Sequence, residues 1–411
     1  MSSHEYLERG PWRGDSWWVT HFNYADEVVS QFSFPSRIVI HDVTLRDGEQ
    51  TPGIVLRTEE KVEIARALDE AGVDRIEAGM PIVSEEDLEA IRKITRLGLS
   101  AKVFGFGRIR TEDIDACLKA DVDGVITEGP VGYPLLRYLF EWSEEQLFDS
   151  VVKAIDYIKD HGLVAIFFNV DATRADMGFL TDFLQRLERE TKVDGFAIAD
   201  TYGSLTPEGA RFLFRHLRSR LTRPLEFHGH NDFGLATATS IAALSAGAEV
   251  VHVTVNGIGE RAGNASLEEV VLSLHLLYGQ RTGIRLEKLC ELSRLVERLT
   301  GFRLAPNKAV VGERVFTRES GIGVAWWLKS PSVSQPFSPE LVGNRAAVLI
   351  GKKSGRHALE YKLRELGISR QLTEEQLEAV LREVKKRSLE KKGPLTDEEF
   401  LEIVNSVVIA A

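Results

Sequence analysis

Cysteine is almost absent from this chain of 411 residues, which carries only Cys117 and Cys290. Two thiols, each within a helical pattern of apolar neighbours, cannot build the disulfide framework of a secreted scaffold, so a reducing, cytoplasmic location is expected. Missing too is any apolar run of the ~20 residues that a membrane-spanning helix needs. The opening Met1-Ser2-Ser3-His4-Glu5 lacks the apolar segment of a secretion signal. No membrane partner is expected. A basic excess is also lacking: 51 Lys and Arg against 62 Asp and Glu leave a formal net charge of −11. That sign argues against nucleic acid and acidic lipid as partners. Local clusters such as Lys385-Lys386-Arg387 read as solvated helix faces. Finally, Gly105-Phe106-Gly107 and Gly257-Ile258-Gly259 fall short of a full G-x-G-x-x-G, and the first strand runs into Asp42-Val43-Thr44-Leu45-Arg46-Asp47-Gly48 instead of a glycine-rich turn. A doubly wound dinucleotide-binding sheet is therefore discounted.

What the chain does have is alternation. Short apolar runs at 37–41, 75–78, 101–106, 124–127, 163–168, 195–199, 225–228 and 250–255 are separated by amphipathic stretches such as 58–71, 85–97, 143–161 and 207–221. Several of these helical stretches open with Ser, Thr or Pro, the usual N-terminal signals. Eight strand and helix pairs in about 250 residues predict an α/β fold of the closed (β/α)8 barrel type. Residues 35–285 are assigned to that barrel. Residues 1–34, with Trp12, Trp17 and Trp18, form an N-terminal extension expected to pack on the barrel bottom or on a partner chain. From 286 to 411 the pattern is mainly helical, with segments at 286–300, 357–366, 373–386 and 396–411 around a polar, Pro-containing stretch at 330–339. Thr396 and Glu399 have the spacing of a capping box for the last helix.

A barrel gathers the polar residues at its strand C-terminal ends on one rim. Here those ends carry Arg46, Asp47 and Gln50, then Glu77, Thr127 and Glu128, Asn169 and Asp171, Asp200 and Thr201, and His228 and His230. The loop after the eighth strand adds Asn256, Glu260, Arg261 and Asn264. Any one of these is ordinarily a loop polar group or a helix cap. His228 and His230, however, stand two apart at a strand end, where side chains at i and i+2 share a face. With the Asp47 carboxylate they form the two-His, one-carboxylate set of a catalytic divalent metal with open coordination positions.

Leu45-Arg46-Asp47-Gly48-Glu49-Gln50, Glu77-Ala78-Gly79, Asp200-Thr201, His228-Gly229-His230-Asn231-Asp232 and Gly257-Ile258-Gly259-Glu260-Arg261-Ala262-Gly263-Asn264 occur in this order. In these blocks the chain resembles the DRE-TIM metallolyase superfamily, and within it the 2-isopropylmalate, homocitrate and citramalate synthases. The resemblance spans about 37–280 and resumes at Pro339-Glu340-Leu341-Val342-Gly343 and at Gly351-Lys352-Lys353-Ser354-Gly355-Arg356-His357-Ala358. It implies a Claisen-type condensation of an acyl-CoA, usually acetyl-CoA, with a 2-oxo acid, in a homodimer of amino-acid metabolism. Mn2+, Mg2+ or Zn2+ would be held by Asp47, His228, His230 and Asn264. Arg46 would stabilise the developing alkoxide, Gln50, Asn169 and Thr201 would bind the oxo acid, and Glu77 would either line that pocket or support a residue that does. The region after 285 resembles the linker subdomains that in the family cover a partner subunit's active site. Two departures stand out. Gly323 occupies the place of a family histidine used in acid and base work, which leaves Glu128, Asp171, His357 or a metal-bound water as candidates for proton transfer. Ile166 and Val170 replace polar residues of the fifth strand and make the pocket more apolar. The loss of that histidine also keeps open the reverse chemistry, a lyase cleaving a 3-hydroxy acid or its CoA thioester.

Overall fold

The computed structural model describes residue 7, residues 9–368 and residues 372–409. They divide into two compact units, one of Phe22–Leu304 and the other of the described residues up to His21 with those from Ala305 onward.

In the first unit eight parallel strands close in sequence order. They are β1 (Val39–Asp42), β2 (Arg75–Glu77), β3 (Lys102–Arg108), β4 (Gly124–Pro130), β5 (Val164–Val170), β6 (Gly195–Asp200), β7 (Leu225–Gly229) and β8 (Val250–Val253). The ring shuts where Ile40 of β1 pairs with Val251 of β8. Every expected strand is present, as is the helix between each consecutive pair, and the continuous Val, Ile, Phe and Ala runs are buried on both faces, between the helices and the barrel lumen. Alternation along each strand decides which side chains enter that lumen. On β3, a side chain at Gly105 would strike Cys117 of the flanking helix Thr111–Lys119 at 2.7 Å. Odd positions there face the helices, so Phe104, Phe106 and Arg108 face the lumen. Phe104, Phe106, Ile126, Ile166, Phe168, Ala197 and Ala199 form one buried cluster inside the barrel. Gly124 and the two alanines of β6 make room for the rings; a Cβ at Gly124 would lie 2.4 Å from Phe104.

The sequence division at 34/35 and 285/286 differs from the structural one. Residues 22–34 belong with the barrel, where the Tyr24 hydroxyl donates to the Leu276 carbonyl at 2.8 Å and Phe32 and Phe34 pack on Tyr278. The helix Leu289–Thr300 belongs there too. Trp18 N donates to Pro336 O at 2.7 Å and Ser338 N to Ser16 O at 2.8 Å, pairing the tryptophan arm with residues of its own unit.

That second unit combines a two-stranded parallel sheet, β9 (Thr317–Arg318) and β10 (Ala347–Val348), with helices Gly321–Lys329, Arg356–Glu365, Glu374–Lys391 and Asp397–Ile409. Val348, Leu359, Val380, Val384, Phe400 and Ile403 are among its buried core residues. The expected capping box is formed, with Glu399 N on Thr396 Oγ1 at 3.2 Å and Thr396 N on Glu399 Oε2 at 2.7 Å. The end of the final helix expected at 410 and 411 lies outside the described residues. No helix among the described residues is long and apolar enough to cross a membrane.

Candidate metal and active site

Asp47 follows β1 on a short turn, and His228 and His230 close β7, so barrel closure alone carries the carboxylate to the imidazoles. His228 Nε2 lies 3.5 Å and His230 Nε2 3.8 Å from Asp47 Oδ2, and the two ring nitrogens are 3.3 Å apart. Three donors around one ion with bonds of about 2.1 Å stand about 3.0 Å apart in octahedral and about 3.4 Å apart in tetrahedral arrangement. The set therefore fits one divalent cation with little adjustment. His230 Nδ1 lies 3.3 Å from the Gly263 carbonyl; a proton there leaves the Nε2 lone pair directed at the set.

Asn264 is held beside these donors by a bridge between its backbone and that of His230. Its amide nitrogen donates to Asp47 Oδ1 at 2.8 Å and to Ile258 O at 3.1 Å, while its buried Oδ1 has no partner. A buried acceptor left bare costs about 1–3 kcal/mol, and a cation or its water would satisfy it. Gly259, at φ +150°, permits this crowding, since a Cβ there would sit 2.1 Å from Asn264 Nδ2 and 2.6 Å from Asp47 Oδ1.

Arg46 is buried next to the set. Its Nε donates to Glu77 Oε1, and Nη1 donates to Asp47 Oδ2 at 2.9 Å and to Gln50 Oε1 at 3.3 Å. Phe106 lies beneath the guanidinium, 4.1 Å from Cζ to the ring centre. Nη2 is buried without a partner, so two N–H groups await an oxygen. Glu77 does not meet the pocket as a free group, because its other oxygen accepts from His41 Nε2 at 3.0 Å. It orients Arg46.

Below this runs a string of charge that the sequence reading missed. Arg75 Nη1 donates to Glu226 Oε1 at 2.7 Å, and Glu226 Oε2 is 2.8 Å from His252 Nε2. The His252 ring stacks on His41 at 4.4 Å, and His41 leads on to Glu77 and Arg46. His41, Glu226 and His252 also lie within metal-chelating reach of one another, but the Nε2 atoms of both rings already face carboxylates. Charged residues at lumen-facing positions of otherwise apolar strands were the available signal. A (β/α)8 lumen is ordinarily filled with branched aliphatics.

The electrostatics follow from burial and pairing. Burial by itself raises the Asp47 carboxyl, but Arg46 and the two imidazoles outweigh it and hold it well below the usual carboxylate range. The same contest, with Arg46 and His41 prevailing over burial, brings Glu77 to about 2. Burial lowers His228 to about 3 and His41 to about 4, so both rings are neutral, as a metal ligand must be. Glu128 is different. It faces the lumen from the mouth end of β4, half-buried, and burial raises its pKa against the pull of Arg46 and Arg108.

The remaining expected residues are spread more widely. Asp171 is locked in a two-pronged pair with Arg174, both contacts at 2.7 Å. The spacing Asp171-Ala172-Thr173-Arg174 was the sequence clue to that pair. Thr201 Oγ1 accepts from Asp171 N at 2.8 Å. Asn169 shares the strand face of Phe167, and its amide donates to the Phe167 and Ala197 carbonyls, away from the lumen. Asp200 caps the turn that follows it through Ser204 N and Leu205 N. His357 belongs to the other unit, exposed on its helix and 3.6 Å from Glu360.

Comparison with known proteins bears on this arrangement. Residues 37–296 match the HMGL-like family model, and residues 310–392 match the homocitrate synthase post-HMGL domain-like model. The chain is 43% identical over 391 residues to homocitrate synthase AksA of Methanothermobacter thermautotrophicus, covering 95% of this chain and 98% of that one. It is 45% identical over 368 residues to (R)-citramalate synthase CimA of Methanocaldococcus jannaschii, covering 90% and 74%. A probable 2-isopropylmalate synthase of Methanopyrus kandleri is 48% identical over 351 residues, 85% of this chain and 70% of that protein. Among solved structures, the HMG-CoA lyase of Bacillus subtilis superposes with a TM-score of 0.60 at 18% identity, over 66% of this chain and 96% of that one, a likeness of fold.

Proposed function

This chain belongs to the HMGL-like family, and from that membership we propose that it is a divalent-metal-dependent condensing enzyme joining an acyl-CoA, acetyl-CoA foremost, to a 2-oxo acid. The reading is carried by one observation: Asp47, His228 and His230 converge beside two unsatisfied polar groups, Arg46 Nη2 and Asn264 Oδ1, all at the barrel mouth. Asp47, His228 and His230, with Asn264 beside them, would hold the cation, which when bound would supply Lewis acidity toward the ketone of the oxo acid.

The protein's own groups do the rest. Arg46 Nη2 donates to the ketone oxygen as negative charge develops on it. Its aim is set by Glu77 and Asp47, and Gln50 stands beside it at the mouth. Glu128 is the carboxyl suited to removing a proton from the acyl methyl group, since burial moves its pKa toward neutrality while Asp171 is tied to Arg174. A carbon–carbon bond then forms to the ketone carbon, the alkoxide takes up a proton, and water cleaves the thioester. The products are a 2-hydroxy dicarboxylic acid and free CoA thiol. We extend the proposal to a homodimer in a reducing compartment, which fits the burial of both free cysteines.

The test is thiol release from acetyl-CoA by purified protein with Mn2+ or Mg2+ and a panel of 2-oxo acids. Dependence on both metal and oxo acid supports condensation. Cleavage of a 3-hydroxy acid or its CoA thioester, with no thiol release from the forward pair, transfers the assignment to the lyase reading that Gly323 keeps open.

A further inference from the structure

We propose that the 2-oxo acid carries an uncharged, apolar side chain and not a second carboxylate. The inference rests on the condensing reading above and concerns the wall that receives the rest of the substrate once its reacting end lies beside Arg46 at the site that Asp47, His228 and His230 frame. That wall is built from the inner faces of β3 to β6. Phe106 lies against the Arg46 guanidinium, and Phe168 packs edge-on to His228 with ring centres 5.1 Å apart. Val170 and Met80, both only partly buried, extend this cluster toward the mouth. Met80 also lines a cavity of about 380 Å³ with Ile54, Val55, Val83, Arg46 and Gln50. The two carboxylates on that cavity, Glu49 and Asp87, are both paired with Lys61.

The charge pattern points the same way. A distal carboxylate needs a cation, since burying an unpaired ion costs several kcal/mol. Arg108, the cation on the inner mouth end of β3, is forked onto Asp113 at 2.8 and 2.9 Å. Arg174 is forked onto Asp171, and Arg261 onto Asp232 at 2.9 and 3.1 Å. Between Phe106 and Phe168 the mouth presents Glu128, of the same sign as the incoming group. Apolar side chains find contact area there; an anionic one finds repulsion.

The experiment compares 2-oxo-3-methylbutanoate, 2-oxo-4-methylpentanoate and phenylpyruvate with 2-oxoglutarate and oxaloacetate, in holoenzyme with Mn2+ and acetyl-CoA. Alongside turnover, metal-dependent binding of each acid is read by isothermal titration. We expect kcat/KM for the best apolar acid to exceed that for 2-oxoglutarate by about 100-fold or more, and Val170→Arg to narrow that ratio by at least about tenfold. Comparable or better turnover of a dicarboxylic oxo acid overturns the inference while leaving condensation intact. If no acid releases thiol, the condensing reading fails, and the binding order still decides: tighter binding of apolar acids upholds the inference, and equal or tighter binding of 2-oxoglutarate refutes it.

Discussion

Replacing Arg46 by Lys keeps the positive charge and removes the fork. In the structure Arg46 spends Nε on Glu77, divides Nη1 between Asp47 and Gln50, and keeps both Nη2 protons free. A lysine ammonium offers three donors from a single atom. It cannot meet Glu77 and Asp47 from different sides and still present a donor to the ketone oxygen. Because a cation remains between the two carboxylates, Arg46→Lys should be destabilised by less than the 3–5 kcal/mol typical of a buried pair that loses one member. The transition state, however, loses a preorganised donor, worth about 10²–10³ in kcat or about 2.7–4 kcal/mol. Mn2+ affinity, perturbed only through the Asp47 partner, should change by no more than about tenfold. Thermal melting, Mn2+ titration calorimetry and steady-state thiol release separate the three quantities. A folded, metal-loaded Arg46→Lys enzyme with kcat within about threefold of wild type would refute the role given to the guanidinium.

Glu128→Gln should lower kcat by 10²–10⁴, the usual range for a lost general base, and remove the acid limb of the pH–kcat profile; an unchanged limb assigns proton transfer elsewhere. Gly259→Ala brings a Cβ into Asn264 and Asp47 at a φ that side chains avoid, so Mn2+ affinity should fall at least about tenfold together with the melting temperature, and wild-type binding by calorimetry would contradict this. In metal-free protein, His41 and His228 are held neutral with pKa values depressed to about 4 and about 3. Unfolded imidazoles titrate near 6.5, so the unfolded state binds more protons below that pH, and stability is lost as pH falls from about 6.5 toward 4. Asp42, raised by burial to about 7, acts in the opposite sense over the same interval. Asp42→Asn should therefore steepen the acid loss, and urea midpoints at pH 7.5 and 5 that drop no further than in wild type would count against these burial assignments.

The barrel was legible because its evidence is local and repeated: eight apolar runs, each followed by an amphipathic stretch, call for a parallel sheet covered by helices, and their number together with the missing glycine-rich turn favours the closed form. The donor set was legible for a related reason, since His228 and His230 share a strand face by spacing alone and Asp47 follows another strand at the same rim. What a linear reading ranked poorly were residues whose partners are distant in sequence. Glu77 could be read from the sequence either as a pocket residue or as a support behind one, and only the structure chooses the second by joining it to His41 and Arg46. Asp171 looked like a candidate base, but Arg174 occupies both of its oxygens. Asn169 looked like a substrate contact, but alternation along β5 directs it away from the lumen.

The sequence by itself determined which side chains reach the barrel rim, because strand periodicity and loop position follow from the order of residues. Only the tertiary structure decided which of them are free to act. Whether a carboxylate is paired, a guanidinium edge left open or an imidazole held neutral depends on distances between strands that meet through closure of the ring, and at these separations of a few ångströms a partner or its absence reverses what a polar group can do.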